Sequence, residues 1–154
     1  MAAKPSKAED DVAGARQAFL AFVADMHAWE RPAHAALTGF FSSPDGPKTQ
    51  EALDALRARV REQLRAVFDA HGVAGDKNRQ RLENLTTGDP ADYNPATVTI
   101  VKEEPSAGGV RIYADKADGL RDSWRFTLSR LDGRWVLAKK EVLRATGRWA
   151  GIAF

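Results

Sequence analysis

The chain of 154 residues contains no cysteine, which removes disulfide bridges, thiolate metal ligands and cysteine nucleophiles at once. Histidine is scarce, with only His27, His34 and His71. Pro32 breaks the register between the first two, and no third ligand joins them, so neither a metal nor another cofactor is expected. There is no phosphate-cradling glycine loop and no serine-nucleophile motif. Long hydrophobic runs are missing too. Nothing is apolar enough to span a membrane, and Met1-Ala2-Ala3-Lys4-Pro5-Ser6-Lys7 lacks a hydrophobic signal core, so the expectation is a cytoplasmic protein with no membrane partner. An excess of one charge is also absent. Residues 1–75 carry 9 basic and 10 acidic side chains, and residues 76–154 carry 14 and 11, for a net charge of +2. Charges this interleaved argue against a nucleic-acid partner.

What is present is strongly patterned. Two β-rich runs, Ser123–Leu131 and Arg134–Leu143, flank Asp132-Gly133, a dipeptide that accepts positive φ at both positions and so predicts a hairpin. The first run puts Trp124, Phe126 and Leu128 on one face and Arg125, Thr127 and Ser129 on the other. Strict alternation in the second sets Trp135 and Leu137 against Val136, Ala138 and Val142. Upstream, Thr97–Glu103 and Val110–Asp115 read as two further strands separated by a turn at Pro105–Gly109, which gives a four-strand antiparallel meander.

Helices precede the strands. Ser6-Lys7-Ala8-Glu9 has capping-box spacing, and Val12, Ala15, Phe19, Val23 and Met26 recur at helical intervals, predicting an amphipathic helix over 7–30. Arg31-Pro32 is expected to end or kink it, with a short helix through Ala33–Phe41. After a Ser42–Pro47 loop, Thr49 caps a second helix with the stripe Leu53, Leu56, Val60, Leu64, Val67 and Phe68, ended by Gly72. Arg57, Arg61 and Arg65 run along its edge, where stems covering apolar surface explain them as well as a basic rim would. Ala74–Pro95 is turn-rich, with Arg81–Leu85 a short strand or helical turn. Element order therefore predicts an α+β fold in one domain, 1–154, with a disordered start (1–6), a helical part (7–72), a sheet part (79–143) and a tail (144–154).

Several short motifs add a resemblance. Ala28-Trp29-Glu30 ends the first helix, and Asp89-Pro90-Ala91-Asp92-Tyr93-Asn94-Pro95 directly precedes a strand. Arg125-Phe126-Thr127-Leu128, Asp132-Gly133-Arg134-Trp135 and Lys139-Lys140 fill the last hairpin, and Trp149 sits near the end. In this order they resemble the bacterial immunity proteins of the nuclear-transport-factor-2-like fold, which neutralise Rhs-type polymorphic toxins. The resemblance implies a cone-shaped α+β fold, with helices packed on a curved antiparallel sheet. It also implies a non-catalytic role, with a cognate toxin domain as partner.

Candidate site residues follow from position and chemistry. Glu30 falls on the apolar stripe beside Val23 and Met26, where a carboxylate must pair, hydrogen-bond or shift its pKa. In a cone it would point inward toward a basic group such as Arg125 or Lys139, as a pocket acid, a partner contact or half of a structural ion pair. His27, Tyr113, Arg125 and Lys139 complete the pocket candidates. For proton transfer the available groups are Glu30, His27, His34, Tyr113, Asp115 and Glu141, but no two form a spaced motif, so no catalytic residue is assigned. Trp29, Trp124 and Trp135 read as core. Arg125, Arg148 and Trp149 are the partner-binding candidates, because arginine and aromatics are enriched at interfaces; a tail that folds back to seal the sheet edge explains Trp149 equally well. The alternatives to toxin neutralisation are a small-molecule-binding or isomerase-like enzyme of the same cone fold, and a domain that forms a homodimer through its exposed sheet face.

Overall fold

The computed structural model describes residues 3–42, 44, 46, 48–73, 76–119 and 121–154. The expectations for residues 1–2, for Ser43, Asp45 and Pro47 of the first loop, and for Ala74 and Gly75 fall outside the described residues. Among the described residues, three helices, α1 (Lys7–Gly39), α2 (Gln50–His71) and α3 (Asp76–Asn84), precede five strands, β1 (Val98–Ser106), β2 (Gly109–Lys116), β3 (Asp122–Leu131), β4 (Arg134–Leu143) and β5 (Trp149–Ile152). The strands form one antiparallel sheet in the order β1-β2-β3-β4-β5, with the helices packed against it. This is the expected α+β arrangement with one strand more, because part of the tail pairs with β4 as β5.

Local signals act where the sequence puts them. Ser6 and Glu9 make the reciprocal capping box, in which the Ser6 hydroxyl accepts from the Glu9 N–H and the Glu9 carboxylate accepts from the Ser6 N–H. Thr49 caps α2, and Gly72 ends it in the left-handed conformation, φ +67°. At Asp132-Gly133 both φ values are positive, +50° and +80°, as a two-residue hairpin turn requires.

Pro32 does not end α1, which runs unbroken through it. Anchors on both sides hold the helix across the proline: Trp29 Nε1 donates to the Val60 carbonyl, Glu30 and Ala33 are buried, and Leu37 packs against the core. A mid-helix proline costs about 3 kcal/mol, which this packing outweighs.

One face of the sheet meets the helices. Phe19, Phe22, Val23 and Met26 of α1 and Val60, Leu64 and Phe68 of α2 pack with Val110, Ile112, Ala114, Trp124, Phe126, Leu128, Leu137 and Val142. Val12 and Leu56 lie at the core's margin. Phe154 folds back into this core, where its N–H donates to Asn78 Oδ1.

A bulge decides what faces inward on β4. Thr127 pairs with Lys139, but Leu128 pairs with Leu137, so Ala138 is the unmatched residue. Beyond it the parity reverses. Val142, grouped with Val136 by strict alternation, instead joins Leu137 on the core face, and Lys140 comes inward with it while Lys139 turns out.

Candidate functional site

The interior of the cone holds a cluster of charged groups at the end of α1. The loop 87–94 runs back across this helix and is pinned by three of the helix's side chains. His27 Nδ1 donates to the Tyr93 carbonyl at 2.9 Å, Glu30 Oε2 accepts from the Gly88 N–H at 3.0 Å, and His34 Nδ1 lies 3.0 Å from Thr87 Oγ1. Glu30, 1% exposed, also takes the Asp92 N–H and faces Arg81 Nη2 of α3 at 3.5 Å. Burial pushes its carboxyl above the ordinary value, and Arg81 and the two backbone donors pull against that rise.

Asp92 completes the cluster. Burial would raise it, but Lys116 Nζ at 2.9 Å, with help from Lys140 and Arg81, holds it below its usual range. Lys140 sits among rings, 4.4 Å from the centroid of Trp124, 4.6 Å from Tyr93 and 6.0 Å from Phe126. Burial drives its amine down to about 7. Tyr93, fully buried beside Trp124 and Phe22, has its hydroxyl pushed well above its ordinary value by desolvation.

The opposite face of the sheet is built differently. By register it carries Glu104 of β1, Arg111 and Tyr113 of β2, Arg125 of β3, Lys139, Glu141 and Leu143 of β4, and Trp149 of β5. Arg125 donates twice to Glu141, at 2.9 and 2.8 Å, and its guanidinium lies 4.7 Å from the Trp149 ring. Tyr113 stands edge-on to Trp149 with centroids 5.7 Å apart, and its hydroxyl donates to Glu104. Hydrogen bonding from Arg125 holds the Glu141 carboxyl below its ordinary value. The result is a braced stack of one arginine and two aromatics, flanked by Leu143 at 42% exposure.

The five pocket candidates therefore separate. Glu30 and His27 meet at the pinned loop, whereas Tyr113, Arg125 and Lys139 lie on the far face of the sheet and do not reach Glu30. Its cation is Arg81, and Arg125 serves Glu141 instead. Among the partner-binding candidates, Arg125 and Trp149 touch, and Arg148 projects from the turn just before Trp149. Trp29 and Trp124 are buried and Trp135 packs at the core's edge, as read from the sequence.

Arg81, Asp92, Tyr93 and Lys140 were not among the candidate site residues of the sequence. Lys140 follows from the Ala138 bulge, which no residue type announces. Asp92 and Tyr93 sit in a stretch whose turn chemistry concealed a buried ring. Among the described residues, no group of three or more histidine, aspartate or glutamate side chains is placed to hold a metal ion. No described helix is long and apolar enough to cross a membrane.

A family model described as NTF2 fold immunity protein matches residues 14–151, from the middle of α1 into β5. No curated protein and no solved structure matches the chain. The matched span contains both the pinned loop and the arginine–aromatic stack, and its fold is the one built here: the chain belongs to the NTF2 fold immunity protein family.

Proposed function

We propose that the chain neutralises a cognate toxin domain of the Rhs-type polymorphic class by binding it, without catalysis, in the bacterial cytoplasm. The contact surface is the sheet face opposite the helices. The observation that carries this reading is the Tyr113–Trp149–Arg125 stack, held rigid by the double hydrogen bond to Glu141. Arginine and large aromatics dominate binding energy at protein interfaces, and side chains already fixed lose little freedom on binding. A standard interface of about 800 Å² per partner would extend over Leu143 and the β4–β5 turn.

Co-expression with the toxin domain encoded beside this gene tests the reading. The wild type and a helix-side control, Leu20→Ser with Arg57→Ala, should both restore growth. Leu143→Asp with Trp149→Ala should fail while remaining folded. Rescue by that variant and failure of the control would move the interface to the helices. A dimer of the chain alone that dissociates on Trp149→Ala would reassign the face to self-association.

A second reading, small-molecule binding or isomerase-like chemistry, is favoured by the carboxyl pushed up at Glu30 and the amine pushed down at Lys140. Turnover of a small ligand that is lost in Glu30→Gln, with no toxin binding, would promote it.

A further inference from the structure

We infer that the β4–β5 corner of this face docks an acidic segment of the toxin, an inference that rests on the toxin-binding reading above. A groove of about 510 Å³ opens where β2, β3 and β4 end, lined by Lys116, Arg121, Asp122, Leu143 and Arg144 among others. Arg121 and Arg144 are exposed, and so is Arg148, which closes the same turn by accepting the Arg144 N–H on its carbonyl at 2.8 Å. None of these three guanidinium groups has a hydrogen bond or ion pair among the described residues. Lys116 is held by Asp92, and the groove's two acids, Asp115 and Asp122, lie on its β2 and β3 side, where Asp115 accepts from the Ser123 hydroxyl.

Two unpaired arginines on the groove and a third, Arg148, on the adjoining turn, beside the half-exposed Leu143 and the Trp149 stack, form a basic rim on an apolar centre. Such a rim fits a partner that supplies carboxylates, and its main effect is on the rate of encounter. A protein fits better than a nucleic acid, because Asp115, Glu104 and Glu141 interrupt the face where a continuous phosphate track would run.

The test is stopped-flow association of the toxin domain with the wild type and with the Arg121→Glu, Arg144→Glu, Arg148→Glu variant, from about 50 mM to about 500 mM NaCl. The wild-type on-rate should fall steeply with salt. The variant should associate about tenfold or more slowly at low salt and converge with the wild type at high salt. Binding retained at high salt shows that the variant is folded. Equal rates and equal salt slopes overturn the inference and leave toxin binding standing. Displacement of the toxin by a short DNA duplex, abolished in the variant, would also overturn it, in favour of a nucleic-acid surface. If the wild type binds no toxin at any salt, the toxin-binding reading falls and takes this inference with it.

Discussion

Replacing Lys140 by methionine should make this protein more stable. The amine is buried and its pKa is driven from 10.5 to about 7. At 1.36 kcal/mol per unit, that shift corresponds to roughly 4–5 kcal/mol of preference for the neutral form in the folded chain. The surrounding rings of Trp124, Tyr93 and Phe126 offset part of it, since a desolvated cation–π contact contributes about 2 kcal/mol. Methionine fills a similar volume without the charge, so the net gain near neutral pH should be about 2–3 kcal/mol. The pH dependence gives the sharper signature. The folded pKa lies below the unfolded one, so the unfolded chain binds the extra proton between about 7 and 10.5, and wild-type stability rises with pH through that window. The penalty is complete below the window and gone above it. Urea unfolding followed by tryptophan fluorescence should show the two proteins converging as pH approaches 10, with the variant lacking the wild type's rise. A less stable Lys140→Met at neutral pH, or parallel pH profiles, would refute the assignment of Lys140 to the interior.

Other substitutions test the remaining parts of the structure. Glu30→Ala should cost about 2–4 kcal/mol, because the Gly88 and Asp92 N–H groups lose their acceptor, and Glu30→Gln should cost clearly less in the same urea titration. The Glu30 carboxyl is pushed up, so wild-type stability should fall as pH rises between its unfolded and folded values, a decline that Glu30→Gln should lack. Gly72→Ala should lower the thermal midpoint by the equivalent of about 1–3 kcal/mol, since φ is +67° and a Cβ there would meet Val136 Cγ1. A double-mutant cycle on Arg125 and Glu141 should give a coupling of about 1–2 kcal/mol, and a value near zero would leave the stack without its brace.

The fold was legible where local chemistry and hydrophobic period agree. Ser6, Thr49, Gly72 and Asp132-Gly133 each act at the position the sequence implies, because caps and tight turns depend on a few adjacent residues. Glu30 was found as an acid on an apolar stripe, but its cation was not. Arg81 reaches it from a short helix that looked like a turn or strand. Parity arguments set Arg125 opposite Trp124, Phe126 and Leu128, the face that read as core, but were overridden when Arg125 was expected to reach Glu30. For Lys139 and Lys140 parity itself failed at Ala138, where one extra residue exchanges the two faces. The tail as a fifth strand depended on pairing with β4, a long-range contact with no local mark beyond Trp149.

Toxin binding is proposed for the sheet face that bears Trp149 and Leu143. Its most direct test is calorimetric titration of the toxin domain into the wild type and into the Leu143→Asp, Trp149→Ala variant, with each protein's unfolding midpoint measured alongside. The wild type should bind one-to-one, and a variant that remains folded should lose at least about 100-fold in affinity, or roughly 2.8 kcal/mol. Unchanged affinity in the folded variant would contradict the proposal.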